Sequence, residues 1–111
     1  MNHNPIPHPQ LGAATALVQL LSENPHLPML DWSVPDGDGP LVGQVINDGV
    51  DMEPLIAAYE QVLGGRVSDF TYRRSDGEQR YSASLYATWR DIQILVRGTC
   101  SAASHLSAVA A

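Results

Sequence analysis

Residues 67–99 read VSDFTYRRSDGEQRYSASLYATWRDIQILVRGT, and this stretch decides the fold. From Gln79 to Trp89 apolar and polar side chains alternate without a break, which is typical of a strand with one buried face. The turn signals at residues 75–78 and 90–91 set off a strand on each side. Connections this short force antiparallel neighbours, because a parallel pair needs a crossover of about a dozen residues or more. We therefore predict a three-stranded antiparallel meander.

The predicted meander has two unequal faces. Tyr81, Leu85 and Trp89 lie on an apolar face that we expect to pack under helices. In the first strand, Phe70 and Tyr72 alternate with side chains that we place on the other, polar face. The predicted polar face carries Thr71, Arg73, Arg80, Ser82, Ser84, Tyr86, Thr88, Gln93, Leu95 and Arg97, with almost no acid.

The remaining residues predict two helices and a hairpin. Leu11, Ala14, Leu17, Val18 and Leu21 recur at helical spacing and predict an amphipathic helix over residues 10–23 with these side chains on one stripe. Residues 30–34 and 41–46 predict two strands around the turn-rich segment 35–40. A second helix is expected over residues 52–63, capped at the preceding aspartate and stopped by two glycines.

These elements predict an α+β fold with two layers and the order α-β-β-α-β-β-β. About five antiparallel strands form one sheet, and both helices cover one face. The order of the strands within the sheet stays open. The 111 residues suit one domain over residues 10–100, between a flexible tail at 1–9 and a tail or short helix at 101–111.

The charge is unevenly distributed along the chain. The net charge is −6, with −8 in residues 1–65 and +2 in residues 66–111, and there is no lysine. The overall sign argues against general nucleic-acid binding, which needs cations to displace counterions. No apolar run approaches the ~20 residues that span a bilayer, and no signal peptide is recognisable. With the single Cys100, these features predict residence in the cytoplasm.

No pattern of catalytic or metal-binding residues is specific enough to predict a reaction. The four histidines, His3, His8, His26 and His105, lack the close pairing of zinc ligands. The segment DGDG at residues 36–39 lacks the later ligands of a calcium loop and suits a hairpin loop better. Near Cys100 in the sequence only Arg97 and, five residues on, His105 could activate a thiol, and a free cysteine usually packs as a small apolar residue. We predict a protein that is not an enzyme, with no cofactor and no metal.

The segment NPHLPMLDWSV at residues 24–34, followed by LVG at residues 41–43, resembles small uncharacterised proteins of Streptomyces and related actinobacteria. In those proteins a helix leads through a proline-containing loop into an Asp-Trp strand and a glycine-containing return strand. The resemblance covers the first half of the chain. It implies a host lineage, and it implies no activity and no functional residues.

The polar face of the meander is the strongest candidate for a function. Arginine and tyrosine are enriched at protein interfaces, because both combine contact area with directional hydrogen bonds. We therefore predict a protein-interaction module that binds a partner, or a second copy as a homodimer, through this face or a sheet edge. The predicted binding residues are Arg73, Arg80, Tyr86, Leu95 and Arg97. Binding of a small anionic ligand or a nucleic-acid segment on the same face is the alternative, and an unrecognised enzyme is a third.

Overall fold

The computed structural model describes residues 10–46 and 50–102. The elements follow in the predicted order: α1 Leu11–Glu23, β1 Asp31–Ser33, β2 Leu41–Gln44, α2 Met52–Leu63, β3 Arg66–Arg73, β4 Gln79–Trp89 and β5 Ile92–Ser101. Both helices pack on one side of a five-stranded sheet, which confirms the predicted α+β fold. The predicted tail at residues 1–9 and residues 103–111 of the second tail lie outside the described residues. Strand β5 takes in Ser101, the first residue of that second tail.

The strands of the sheet lie in the order β1-β2-β5-β4-β3. The meander of β3, β4 and β5 is antiparallel as predicted. Strand β2, however, runs parallel to β5, with Leu41 opposite Ile94, so the expectation of a wholly antiparallel sheet was wrong at this one pairing. The chain between β2 and β5 holds α2 and a complete hairpin, which is long enough for the crossover that a parallel pair requires.

The core lies between the helices and the apolar face of the meander. Tyr81, Leu85, Ile94 and Val96 are all buried there, as the alternation in β4 and β5 predicts. Tyr59 of α2 is completely buried among them. Its hydroxyl donates to the Pro28 carbonyl at 2.5 Å, and burial raises the pKa of Tyr59 to about 12. The first connection of the chain is therefore held to the second helix.

Helix α2 begins and ends where the sequence predicts. The Asp51 carboxylate accepts a hydrogen bond from the Glu53 N–H at 3.1 Å, and this caps the first turn. At the other end Gly64 and Gly65 both have positive φ. A Cβ on Gly65 would lie 2.3 Å from the Tyr86 carbonyl oxygen. The glycine therefore lets the chain turn from α2 directly against β4.

Helix α1 has the predicted extent but buries a different face. Its buried side chains are Ala13, Ala16 and Leu20, whereas the exposed fractions of Leu11 and Val18 are 54% and 66%. The predicted stripe was therefore wrong as a whole, although its member Leu17 does pack against the core. Two of the three buried residues are alanines, and a hydrophobicity pattern ranks such small residues below the leucines and valine that remain outside.

Arg90 holds the end of α1 to the turn between β4 and β5. Arg90 and Asp91 both have positive φ, at 51° and 67°, which suits the two-residue turn predicted here. The Arg90 guanidinium makes two bonds to the Glu23 carboxylate, at 2.5 and 2.7 Å, and lies 4.1 Å from the centre of the Trp89 ring. The hydrogen bond from Arg90 lowers the pKa of Glu23. The C-terminal end of α1 is thus fixed to the turn between β4 and β5.

Candidate interaction face

The side of the sheet that faces away from both helices is called the outer face below. Residues directly opposite each other in neighbouring strands share a face, so the pairing registers assign its members. On the meander these are Arg66, Ser68, Phe70 and Tyr72 of β3, Arg80, Ser82, Ser84, Tyr86 and Thr88 of β4, and Gln93, Leu95, Arg97, Thr99 and Ser101 of β5. This set contains arginines and aromatic side chains and no acidic residue.

The assignment of faces in β3 reverses the prediction. Thr71 lies opposite Tyr81 on the helix side, and Arg73 shares that side. Phe70 and Tyr72 lie instead on the outer face. Strand β3 is an edge strand exposed along its whole length, so burial does not determine which of its faces meets the helices. The register comes from the turn, where the Arg74 N–H donates to the Glu78 carbonyl at 2.8 Å and Gly77 has positive φ.

Tyr86 and Leu95 lie side by side at the middle of the outer face. Tyr86 is 47% exposed, and the Arg66 guanidinium carbon lies 5.7 Å from the centre of its ring. These three side chains line an open groove of about 600 Å³, together with Pro40, Thr88 and Gln93. The lining of the groove combines apolar side chains with one cation and with amide and hydroxyl groups.

Arg97 lies further along β5, opposite Ser84. Its exposed side chain lines a second groove of about 330 Å³ with Gln44, Ser82 and Thr99. The structure therefore brings together three of the five predicted binding residues: Tyr86, Leu95 and Arg97. Half of the residues that line this groove carry hydroxyl or amide groups, and they lie beside one exposed cation, a composition that favours polar or anionic contacts.

Arg80 belongs to the outer face by its register but not by its exposure. Its relative exposure is 4%, the only charged side chain so buried among the described residues. One terminal nitrogen donates to the Thr99 hydroxyl at 3.0 Å, and the other lies 3.2 Å from a Glu78 carboxylate oxygen. These contacts join β4 to β5 and to the preceding turn. The buried Arg80 side chain therefore stabilises the fold, whereas the side chains of Arg66 and Arg97 are exposed.

Three aromatic rings complete the outer face. Phe70 is 59% exposed and Tyr72 is 36% exposed, and their ring centres are 5.9 Å apart. Together with Tyr86 of β4, these two rings of β3 lie in the part of the outer face that β3 and β4 form. Phe70, Tyr72 and Arg66 were not among the predicted binding residues. Counting residues back through the turn at 74–78 would have found them, because an antiparallel register preserves the face of each opposed pair.

The helix side of the meander carries the opposite charge. Glu53 and Glu60 of α2 and Asp69 of β3 line a groove of about 460 Å³. The Tyr81 hydroxyl donates to the Asp69 carboxylate at 2.8 Å, and burial, followed by this bond, raises the pKa of Tyr81. The two faces of the sheet therefore differ in sign at their β3 edge.

Among the described residues, the candidate metal-binding and nucleophilic side chains lie in different parts of the fold. Within residues 10–46 and 50–102, no three His, Cys, Asp or Glu side chains are grouped so that they could hold a metal ion. Cys100 is completely buried on the helix side of β5, and residues 36–39 lie in the hairpin loop between β1 and β2. His26 is exposed, and His3, His8 and His105 lie outside the described residues.

No helix in the described part of the chain is long and apolar enough to cross a membrane.

Comparison with known proteins adds no relative. No protein-family model matches the chain. No curated protein and no solved structure matches it either. The likeness to actinobacterial proteins stays a prediction.

Proposed function

We propose that the chain is a non-enzymatic protein-interaction module that binds a protein partner through the outer face of its sheet. The contact is centred on Arg66, Tyr86, Leu95 and Arg97. One observation carries this proposal: exposed aromatic and arginine side chains line grooves on the outer face of the meander, where there is no acidic residue.

Exposing aromatic side chains to water is unfavourable, and a partner that covers them removes this cost. Tyr86 and Phe70 are 47% and 59% exposed on the outer face, where a partner surface would remove them from water. Tyrosine and arginine are enriched among the few interface residues that contribute most of the binding energy. Truncation of such a residue to alanine weakens binding by about 2 kcal/mol or more. Ser82 and Ser84 between them add hydrogen-bonding groups. The arrangement resembles an interface centre with a polar rim.

The charge of the outer face indicates the chemistry of the partner. Arg66 and Arg97 are exposed, and neither faces an acidic residue on the outer face of β3, β4 or β5. A partner surface with carboxylates beside an apolar patch would satisfy both the guanidinium groups and the Tyr86–Leu95 centre. The acidic helix side of a second copy has this sign of charge as well, so a homodimer is one form of the proposal.

Capture from a lysate of the source organism tests the proposal. Three immobilised proteins are compared: the wild type, the Arg66→Ala/Arg97→Ala variant, and Arg74→Ala as a matched control at the β3–β4 turn. We expect a protein that the wild type and the control retain and that the double variant loses at least tenfold. Retention of the same proteins in equal amounts by all three would refute the outer face as the binding site.

Binding of a single-stranded nucleic acid or another polyanion is the second candidate. The observation that favours it is the set of three exposed rings, Phe70, Tyr72 and Tyr86, beside arginines on an open sheet. Bases stack on such rings for about 1–3 kcal/mol each. The net charge of −6 opposes it, because the whole molecule repels polyanions.

Titration with a short oligodeoxythymidylate and, separately, with polyphosphate separates these ligands from a protein partner. If the chain binds polyanions, the NMR chemical shifts of the backbone amides of Arg66, Tyr86 and Arg97 should change during the titration. The affinity should also fall steeply as the salt concentration rises. The leading proposal predicts no saturable shift with either polyanion. Saturable binding of either polyanion to the outer face would contradict the leading proposal and support the polyanion candidate.

The cellular location also stays a proposal. We place the module in the cytoplasm, because its one cysteine is buried and reduced on β5 and forms no disulfide. Fractionation of the source organism with an antibody against the chain tests this. Recovery in the membrane or the secreted fraction would contradict it.

A further inference from the structure

Strand β3 is an open edge of the sheet. Within residues 10–46 and 50–102 it pairs with β4 alone, and all eight of its residues are exposed. The opposite edge, β1, has only three residues. An exposed edge of eight residues presents a row of peptide groups that can pair with another strand. Long natural edges of this kind are usually protected or used for assembly.

The residues of β3 indicate which strand would pair with it. Around Thr71 the sequence is Asp69-Phe-Thr-Tyr-Arg73, so residues equally distant from Thr71 are complementary in chemistry. We propose that β3 pairs antiparallel with β3 of a second copy of this chain, with Thr71 opposite Thr71 on a two-fold axis. Asp69 of each copy then lies opposite Arg73 of the other, and Phe70 lies opposite Tyr72.

This register is the one that the side chains favour. A two-fold axis perpendicular to the sheet keeps the outer faces of both copies on the same side. Because opposed residues share a face, such an axis must pass between one residue and the same residue of the second copy. An axis at Asp69 would oppose two carboxylates, and an axis at Phe70 would set Arg66 opposite Arg74. The Thr71 axis alone pairs opposite charges, two aromatic rings and two threonines, each of which stabilises a sheet by about 0.2–1 kcal/mol.

The surroundings of Asp69 and Arg73 support the same register. Both lie on the helix side of β3. Asp69 lines the groove that Glu53 and Glu60 also line, whereas the side chain of Arg73 makes no hydrogen bond or ion pair with the described residues. Pairing brings Arg73 of each copy to the mouth of the acidic groove of the other. Both cations thus gain carboxylate neighbours that they lack in the single chain.

The dimer would extend the proposed function. Its biological use rests on that function, whereas the pairing of the two β3 strands does not. The two five-stranded sheets join into one, so the two outer faces lie side by side and their aromatic rings meet along the axis. A partner with two matching surfaces would then bind both copies and gain avidity. The binding residues at the centre of the outer face, Tyr86 and Leu95, remain uncovered.

Disulfide trapping tests the register. Opposed Cα atoms in antiparallel strands lie about 4.5–5.5 Å apart, within the range that a disulfide spans. The Thr71→Cys variant should therefore form a covalent dimer in nearly full yield on mild oxidation. Ser68→Cys is the matched control, because its two copies would lie about 20 Å apart at the strand rise of roughly 3.4 Å per residue. The wild type controls for Cys100, which is buried.

Charge exchange gives an independent measurement of the same register. Asp69→Arg and Arg73→Asp should each weaken dimerisation at least tenfold in sedimentation experiments, because like charges then lie opposite each other. The variant that carries both substitutions should dimerise again. Equal trapping of Thr71→Cys and Ser68→Cys, or a wild type that stays monomeric at millimolar concentration, would overturn the proposal. A monomer that still loses its partner through Arg66→Ala/Arg97→Ala would leave the proposed function intact.

Discussion

Arg80 and Arg97 have the same side chain and lie on the same face of the sheet, but their surroundings give them different roles. Arg80 is buried against Thr99 and Glu78, whereas Arg97 projects into an open groove. A pattern of alternating residues assigns both to one face and cannot tell them apart. Burial depends on the side chains that surround each position in three dimensions, which the spacing of residues along one strand does not contain.

Alanine substitution should separate these two arginines. Arg80→Ala removes charged hydrogen bonds from a buried site, so we expect the free energy of unfolding to fall by about 2 kcal/mol. Arg97→Ala should change it by less than about 0.5 kcal/mol, as exposed substitutions usually do. Urea unfolding followed by circular dichroism measures both. Equal stability of the two variants would show that Arg80 has no structural role.

Asp76 makes the turn between β3 and β4 sensitive to acid. The Arg74 guanidinium and then the Glu78 N–H bind its carboxylate and lower the pKa of Asp76 to about 2. Because the pKa is lower in the folded chain, this contribution to stability is complete above about pH 4 and disappears as the pH falls toward 2. Asp76→Asn should therefore make the melting temperature less dependent on pH between 4 and 2. An unchanged dependence would mean that other carboxylates cause the acid sensitivity.

At the scale of elements, β5 and α2 touch at a glycine. A Cβ on Gly98 would lie 2.5 Å from a Val45 methyl carbon and 2.8 Å from the Met52 sulfur. The missing side chain therefore lets the start of α2 and the end of β2 lie directly on β5. This contact forms part of the core beneath the outer face, and it determines how closely the helix approaches the sheet.

Gly98→Ala should separate these elements. We expect a loss of roughly 1–3 kcal/mol, because an added methyl group in a packed site forces its neighbours to move. Gly37→Ala is the matched control, since a Cβ there meets nothing within 4 Å. Thermal unfolding of the two variants checks the prediction. A Gly98→Ala variant as stable as the control would contradict the close contact.

The elements that were predicted well are those that the core contacts along their whole length. Helix α2 and strands β4 and β5 bury every second or every third to fourth residue, so their periodicity records the position of the core. Helix α1 and strand β3 lie at the margin, and each exposes large apolar side chains. There the apolar pattern no longer reports which face is buried, and the predicted faces of both elements were wrong.

For the whole molecule, the order of elements was predictable from the sequence and the path of the chain was not. The parallel pairing of β2 with β5 depends on where α2 places the following hairpin, and local patterns contain no information on such distant contacts. The division of charge was visible along the chain. Its arrangement in space depends on the register of β3, which sets Asp69 on the helix side and the aromatic rings of β3 on the outer face.

The central claim is that the outer face binds a protein partner. Hydroxyl-radical footprinting of the chain, free and saturated with the captured partner, tests it most directly. Oxidation of Tyr86, Leu95 and Phe70 should fall several-fold in the complex, whereas oxidation of Met29, which is 84% exposed in the loop before β1, should not change. Protection of Met29 with unchanged oxidation of Tyr86 would contradict the claim and place the interface elsewhere.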